Sequence, residues 1–297
     1  MNYKHRVSMK WGQAPKTEFK NQFKALKVDL VNAPSYADLL DYIPEFGEAT
    51  WEDEPRYDYS LEERKACVDD MFAGKYVPTA LETVNVTIRL SGIDICDVTH
   101  FLRHRMFSFS AQCTGDRDLR HDPVVVKPSI MANEDFYKRY REILTDAKQL
   151  YADMTDSRDV TILDARTILP RCTETFYYIK GPLNAWLGFI KARTDIQIQP
   201  KSDVIMAIKM YELLCDLYPP MRGTMDLCGK DYWYLNTVNT KRSSNMMMPY
   251  GPNVEEGKDY DPQDFVYGSK TIGDFPGDDE FIKILKEHTQ NYGPKVK

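Results

Sequence analysis

Three cationic side chains, Arg103, His104 and Arg105, stand side by side within FLRHRMFSFSAQCTGDR at residues 101–117. A guanidinium is always charged, and its planar fork of donors matches phosphate oxygens and flat heterocycles. The triplet precedes a loop rich in hydroxyl side chains, so one interpretation is a binding site for a small anion. The other is a solvated helix end, where cations interact favourably with the helix dipole. The triplet alone does not separate the two.

Two more arginines favour the ligand interpretation. Arg166 lies inside ARTILP, and Arg193 ends the mostly apolar segment LNAWLGFIKAR. An arginine at the edge of an apolar helix usually has a buried anionic or planar partner. Several such arginines in one chain therefore indicate a phosphate or a heterocycle as the ligand.

Composition limits the classes of function. The chain has 297 residues, a net charge of -6 and 42% hydrophobic residues, enough for one large domain or two small ones. The acidic balance argues against general nucleic-acid binding. Without an apolar run of about 18 residues or a signal-peptide pattern, we expect no membrane span and no secretion. The six cysteines lack metal-ligand spacing, so we expect reduced thiols, no metal site and a cytoplasmic location.

Periodicity and capping signals predict the elements around the triplet. Alternation predicts strands at 26–31 and 82–90, and Gly92 is expected to end the second strand. Ser60 and Glu63 fit a capping box, and Asp94 is a candidate cap for the helix that ends at the triplet.

The elements after the triplet are mainly helical. Asn133 is predicted to cap a helix with the apolar face Phe136, Tyr140, Ile143, Ala147, Leu150 and Met154. A short helix at 161–170, a strand in ETFYYIKG and a helix in LNAWLGFIKAR follow. The helix after Ser202 is expected to turn Val204, Ile208, Tyr211, Cys215 and Tyr218 inward.

These stretches, taken in order, resemble the flavin-dependent thymidylate synthases, whose signature is Arg-His-Arg, seven residues and then Ser. SLEERKACVDDMFAGKYVPTALETVNVTIRL is similar to the helix and strand before the signature. DARTILPRCTETFYYIKGPLNAWLGFIKARTDIQIQ is similar to the ARxxLP block after it. The resemblance covers about residues 25–221. It implies an α+β fold, with a central, mostly antiparallel sheet flanked by helices. The implied domains are a polar lead-in at 1–20, the synthase-like domain at 21–221 and a loop-rich or partly disordered extension at 222–297.

The resemblance also implies a reaction. It is methylation of carbon 5 of a pyrimidine nucleotide monophosphate, with methylenetetrahydrofolate as the one-carbon donor, reduced FAD as the hydride donor and NADPH as the reductant. Conversion of dUMP to dTMP is the first expectation, in a homotetramer with FAD at subunit interfaces. UMP, dCMP or CMP as the nucleotide, a hydroxymethyl product, and a non-catalytic nucleotide- or flavin-binding relative stay open.

Residue roles follow from the same resemblance. The catalytic residue is Arg193, which in the family lies against the pyrimidine. The implied nucleotide-binding residues are His100, Arg103, Gln112, Cys113, Thr114, Gly115, Arg117, Arg166 and Arg193. The implied FAD-binding residues are Thr50, Glu82, Arg103, His104, Arg105 and Asn184.

The signature loop departs from the family pattern, and two alignments are open. Cys113 stands where the seven-residue spacing places Ser. Either Cys113 replaces that serine, or one residue is inserted and Thr114-Gly115 stands for Ser-Gly. We prefer the second, because it keeps a hydroxyl, a glycine and the phosphate-binding Arg117 together, with Gln112 in place of a glutamate. Cys113 itself fits a small buried hydrophobe, a nucleophile or a passive substrate contact.

Overall fold

The computed structural model describes residues 8–49, 52–54, 56, 58–72, 78–193 and 200–223. Thr50 and the stretch from 224 onward therefore lie outside the described residues. The strands are β1 (Phe19–Asn21), β2 (Lys27–Asn32), β3 (Asn85–Ile93), β4 (Ser108–Ala111), β5 (Val124–Val126) and β6 (Thr175–Pro182). The helices are α1 (Gln22–Ala25), α2 (Tyr36–Glu48), α3 (Leu61–Phe72), α4 (Ile95–Phe101), α5 (Pro128–Met131), α6 (Glu134–Ser157), α7 (Ile162–Ala165), α8 (Leu183–Arg193) and α9 (Lys201–Leu217). Short 3-10 turns lie at Pro78–Glu82, Arg166–Ile168 and Pro219–Gly223.

Strands and helices together confirm the predicted α+β fold. Four strands form one sheet in the order β2-β3-β6-β4, and β1 pairs in parallel with β5. Both predicted caps at the start of α3 and α4 are present. Ser60 and Glu63 exchange hydrogen bonds, as do Asp94 and Asp97. These local signals fix where each helix begins.

The chain forms two compact units. Among the described residues, the first comprises those within 8–27, 89–103 and 109–178, and the second comprises those within 28–88, 104–108 and 179–223. The core of the second unit includes α9, in which every predicted inward residue is buried: Val204, Ile208, Tyr211, Cys215 and, just beyond its end, Tyr218. In the same unit α8 has the predicted bounds, and its Trp186 indole donates to the carbonyl of Val86 at 3.3 Å.

Helix α6 in the first unit buries only part of the predicted face, since Tyr140 and Met154 are half-buried and pack against the core. Phe136, Ile143 and Leu150 are 70%, 51% and 47% exposed, so the predicted apolar face is wrong at these positions. The buried residues are instead Leu144, Lys148, Tyr151, Ala152 and Thr155. A lysine is buried there because its ammonium donates to the carbonyls of Leu119 and Asp122, which replaces its hydration. The spacing of apolar residues did not predict this buried face, because the face contains a lysine.

Gly92 does not end a strand, contrary to the prediction. β3 continues through it to Ile93, with Gly92 at φ +72°. A Cβ at this position would lie 2.1 Å from the carbonyl oxygen of Ala25. Glycine is therefore required twice, for its left-handed backbone and for the close approach of the end of α1 to β3.

Gly92→Ala is expected to lower the free energy of unfolding by about 2 kcal/mol more than Gly12→Ala. Gly12 is the matched control, since it has φ +68° but open space around the position of a Cβ. Both variants meet the left-handed penalty of about 1–2 kcal/mol, and only Gly92→Ala adds overpacking of about 1–3 kcal/mol. Denaturant unfolding of the two variants measures the difference. Equal losses would show that β3 and α1 separate without cost.

Candidate functional site

The arginine triplet lies where the sequence predicts it, directly after α4. The capping box of Asp94 and Asp97 starts the helix, which ends at Phe101 with Leu102 as its C-cap. Arg103 and Arg105 are exposed, and within the described part of the chain neither forms an ion pair. Both guanidiniums are thus available to a ligand.

A cavity of about 160 Å³ in the first unit brings together four of the predicted nucleotide-binding residues. Its polar wall contains Gln112, Thr114, Arg117 and Arg166, and its apolar wall includes Ile95, Leu119 and Leu169. A cavity with apolar walls and a few converging polar groups is the usual form of a small-molecule site. The structure therefore unites residues that are up to 54 positions apart in the sequence.

Arg166 holds the loop at this cavity. Its Nη1 donates to Thr114 Oγ1 at 3.1 Å, and its Nε donates to the carbonyl of Leu163 at 3.1 Å. The adjoining Gly115 is buried, and a Cβ there would lie 2.5 Å from Leu163 Cδ2 and 3.0 Å from Arg166 Nη1. A hydroxyl bonded to arginine, followed by a glycine with no room for a side chain, supports the alignment of Thr114-Gly115 with Ser-Gly.

Cys113 is exposed, so its interpretation as a small buried hydrophobe is wrong. Its sulfur accepts a hydrogen bond from the backbone N–H of Gly115 at 3.4 Å. The thiol is therefore part of the turn that presents Thr114. Whether it also contacts a substrate stays a prediction.

Thr114→Val is expected to weaken nucleotide binding about tenfold, because the half-buried hydrogen bond to Arg166 is lost at a cost of about 1.4 kcal/mol. Cys113→Ala, the matched change at the adjacent position, is expected to alter the dissociation constant by no more than about twofold. Thr114→Ser keeps the hydroxyl and should bind like the wild type. Calorimetric titration with dUMP compares the three. A larger loss in Cys113→Ala than in Thr114→Val would favour the other alignment.

A buried polar network, which the sequence did not predict, fixes the loop that carries Arg117. Arg120 is fully buried and donates to Asp118 Oδ2 at 2.9 Å and to both carboxylate oxygens of Asp156, at 3.0 and 2.8 Å. Arg117 itself pairs with Asp122. The signal was present in the alternating charges of GDRDLRHD, but the partner Asp156 lies 36 residues away on α6.

Lys148 on α6 holds the same loop through hydrogen bonds to its backbone. Its ammonium is buried and donates to the carbonyls of Leu119 (3.3 Å) and Asp122. Burial lowers the pKa of Lys148 to about 8. A cation held by two carbonyls fixes the backbone on either side of Arg120 and so helps to orient Arg117.

In the second unit, Arg193 lies between two partners. Its Nη1 is 3.5 Å from Asp203 Oδ2, and its side chain is only 13% exposed. Its Nη2 is 3.1 Å from His104 Nε2. A guanidinium has no acceptor, so His104 Nε2 must accept and the ring proton is on Nδ1. Asp203 was missed because an acid in the first turn of a helix is usually a solvated dipole partner.

The ring of His104 packs against aromatic side chains of the same unit. Its centroid is 4.8 Å from that of Phe189 and 6.2 Å from that of Phe107. Burial and, second, the charge of Arg193 lower the pKa of His104. His104 is therefore neutral at pH 7, as its acceptor role requires.

Arg193→Met is expected to raise the pKa of His104 towards its ordinary value, because the repulsive guanidinium is removed while the burial remains. The imidazole resonances of His104, followed by NMR as a function of pH, measure the shift. An unchanged pKa would show that the Arg193 contact is absent in solution. A control is His121 in the first unit, whose pKa the substitution should leave unchanged.

Two predicted FAD-binding residues contact each other in the second unit. Asn184 Nδ2 donates to Glu82 Oε1 at 2.9 Å. The other amide atom, Asn184 Oδ1, is buried and has no hydrogen-bond partner among the described atoms. A buried acceptor without a partner is costly, so this oxygen is suited to receive a donor from a ligand.

Comparison with known proteins identifies the family. The model of the family described as "Thymidylate synthase complementing protein" (Thy1) matches residues 39–220. The chain belongs to this family. The Thy1 match spans the arginine triplet, the cavity loop, Arg166 and Arg193, so the resemblance inferred from the sequence is confirmed.

Curated relatives of the chain are flavin-dependent thymidylate synthases. The chain is 25% identical over 169 residues to that of Mycobacteroides abscessus, which covers 50% of this chain and 65% of the relative. It is 30% identical over 137 residues to that of Mycobacterium marinum, covering 40% and 55%. The chain thus spans less than two thirds of the length of either relative.

Solved structures share the fold. A UMP/dUMP methylase from Streptomyces cacaoi bound with 5-Br dUMP superposes with a TM-score of 0.58 at 18% identity, covering 70% of this chain and 97% of that chain. The same enzyme bound with 5-Br UMP gives a TM-score of 0.55 at 16% identity. At this identity the likeness shows a common fold. Among the described residues, no helix has the length and apolar character to span a membrane.

Proposed function

We propose that this protein catalyses the flavin-dependent methylation of carbon 5 of a pyrimidine nucleotide monophosphate, from dUMP to dTMP, with methylenetetrahydrofolate as the one-carbon donor. The observation that carries the proposal is the cavity at which Arg166 holds Thr114 next to Gln112 and Arg117. These are the positions that match the nucleotide site of the Thy1 family. Similar proteins are described as thymidylate synthases and as a UMP/dUMP methylase.

Arg193 is proposed to stabilise the negative charge that develops on the pyrimidine when carbon 5 reacts. Its guanidinium is nearly buried and is held by Asp203 and His104, so it is oriented before the reaction starts. A fixed charge in a site that excludes water has a larger effect than the same charge in water. Neutral His104 accepts a hydrogen bond from Arg193 and does not repel its charge.

The residues present fit FAD. Asn184 Oδ1 offers a buried acceptor without a partner, and Arg105 offers a guanidinium to the diphosphate, with Arg103 as its neighbour in sequence. Charge-assisted hydrogen bonds of this kind are among the stronger ones in proteins. When bound and reduced, FAD supplies the hydride, and NADPH is the proposed source of that reduction.

A homotetramer is proposed as the assembly. The exposed apolar side chains Phe136, Ile143 and Leu150 of α6 are seven positions apart and so form one apolar stripe, which supports burial against another copy. Sedimentation analysis of the purified protein tests the assembly. A monomer at working concentrations would contradict it.

Methylation of UMP is the second candidate. It is favoured by the two solved structures, whose methylase is described as acting on both UMP and dUMP.

The choice of base, uracil or cytosine, is a separate question, on which Gln112 bears. Gln112, which replaces a family glutamate, lies at the cavity with Oε1 3.5 Å from Thr175 Oγ1. An amide offers both a donor and an acceptor, and cytosine and uracil differ in which of these they need.

The test is direct. The purified protein is expected to be yellow with bound flavin, and it is incubated with methylenetetrahydrofolate, NADPH and, separately, dUMP, UMP, dCMP and CMP. Mass spectrometry of the nucleotide identifies the product and separates methyl from hydroxymethyl. A colourless protein that modifies none of the four nucleotides would remove the proposal and leave a non-catalytic relative.

A further inference from the structure

A larger depression opens beside the nucleotide cavity in the first unit. It encloses about 800 Å³ and shares the wall residues Gln112, Arg117, Glu174 and Thr175 with the cavity. We call it the basic groove, after the cations that line it: Lys20, Lys24, Lys27, Arg89 and Arg117. Arg117 is the residue assigned to the nucleotide's phosphate, so the groove begins where a monophosphate would end.

The charge of the groove is opposite to that of the chain. Its five cations face three carboxylates, Glu18, Asp122 and Glu174. The local excess is two positive charges in a chain whose net charge is -6. A concave surface of one sign concentrates ligands of the opposite sign.

The carboxylates of the groove are already paired. Lys20 Nζ lies 2.7 Å from Glu174 and 3.9 Å from Glu18, and Arg117 pairs with Asp122. Lys24 and Lys27 are exposed, and neither has a carboxylate within 4.0 Å among the described residues. These two ammonium groups are available to an anion.

The backbone that carries these lysines is fixed. Asn21 Oδ1 accepts from the N–H groups of Phe23 and Lys24 at the start of α1. At its end, the carbonyl of Ala25 rests against Gly92 of β3, where no side chain fits. Lys24 and Lys27 therefore project from a held segment, which reduces the ordering that a bound anion must impose.

Another residue that lines the groove is Arg89. The guanidinium of Arg89 lies over the ring of Phe176, 4.9 Å from its centroid. Arg89 thus adds a cation from β3 to the lining of the groove. Cations on four elements, β1, α1, β2 and β3, thus line the groove that Arg117 shares with the nucleotide cavity.

We propose that the basic groove binds the second and third phosphates of a nucleoside diphosphate or triphosphate whose first phosphate lies at Arg117. The inference rests on the proposed function for the identity of the nucleotide, and it extends the substrate class beyond monophosphates. Ammonium groups suit this ligand, because they bind phosphate oxygens as point charges in several geometries. The phosphate chain replaces the water around Lys24 and Lys27 and leaves the Lys20–Glu174 pair in place.

The test is calorimetric titration of the holoenzyme at fixed ionic strength with dUMP, dUDP, dUTP and inorganic triphosphate. dUDP and dUTP are expected to bind at least about tenfold more tightly than dUMP, and inorganic triphosphate to compete with dUTP. In Lys24→Gln/Lys27→Gln the advantage of dUTP over dUMP should fall to about twofold, with little change for dUMP. Lys65→Gln/Lys138→Gln removes the same charge from exposed helix positions outside the groove and should keep the advantage.

Two results would overturn the inference. One is equal affinity for the three nucleotides, and the other is an advantage of dUTP that survives in Lys24→Gln/Lys27→Gln. Tighter binding of an oligoglutamate than of inorganic triphosphate would also overturn it, in favour of a carboxylate ligand. Inorganic triphosphate can bind without the base cavity. Loss of its binding in Lys24→Gln/Lys27→Gln therefore supports phosphate binding by the groove even if no nucleotide is methylated. A yellow protein that methylates dUMP but ignores triphosphate would leave the proposed function intact and end this inference.

Discussion

Arg193→Ala is expected to slow turnover about a hundredfold and to leave the bound flavin unchanged. Loss of one preorganised donor to a developing anion costs about 3 kcal/mol. Arg193 is held on one side by Asp203 and on the other by His104, and its side chain is almost excluded from water. The substitution therefore removes a fixed charge from the site, and water cannot easily replace it.

The controls for Arg193 separate charge from shape. Arg193→Lys should recover only part of the rate, because an ammonium cannot contact His104 and the pyrimidine with a planar fork. Lys191→Ala, which removes an exposed cation from the same helix, should keep nearly full turnover. Turnover and flavin absorbance are measured on the same samples. Near-normal turnover in Arg193→Ala removes Arg193 from the mechanism, and a parallel loss of flavin makes it a cofactor ligand.

Arg105→Ala is expected to give a folded but colourless protein, with FAD affinity reduced about a hundredfold. Two charge-assisted hydrogen bonds to a diphosphate, each of about 1.5–3 kcal/mol, would be lost. Arg105 is exposed, and the described part of the chain offers it no ion pair, so its removal should not weaken the fold.

Arg158→Ala is the matched control for this prediction. Arg158 is also an exposed arginine, and its guanidinium lies over the ring of Trp11 at 5.1 Å, away from the predicted cofactor residues in sequence. The ratio of visible flavin absorbance to protein absorbance and the midpoint of thermal unfolding are measured for each variant and compared with the wild type. Full FAD occupancy in Arg105→Ala would show that the diphosphate is held elsewhere.

Local signals in the sequence were sufficient for much of the fold. The bounds of α8 and the caps of α3 and α4 followed from apolar spacing and from pairs such as Ser60 and Glu63. These signals work because the interacting groups are three or four residues apart. The Arg166–Thr114 contact, between residues 52 positions apart, could be expected only from the resemblance to a family.

Four of the failures share a physical cause, which is burial of a group that the sequence presents as polar or flexible. Lys148 and Arg120 are buried because carbonyls and carboxylates from distant segments replace their water. Asp203 looks in the sequence like an ordinary acid in the first turn of a helix, and only the fold shows its ion pair with Arg193. Gly92 looks in the sequence like a residue that ends a strand. The structure shows that glycine is needed there because the carbonyl of Ala25 fills the space of a side chain.

Anaerobic single turnover is the measurement that tests the central claim most directly. The holoenzyme is reduced with NADPH without oxygen and then mixed with methylenetetrahydrofolate and dUMP, and flavin absorbance and nucleotide mass are followed in the same sample. The proposed function predicts that the absorbance of oxidised flavin returns in step with the formation of dTMP, in equal amounts. Formation of dTMP while the flavin stays reduced, or return of the oxidised spectrum without a methylated nucleotide, would contradict it.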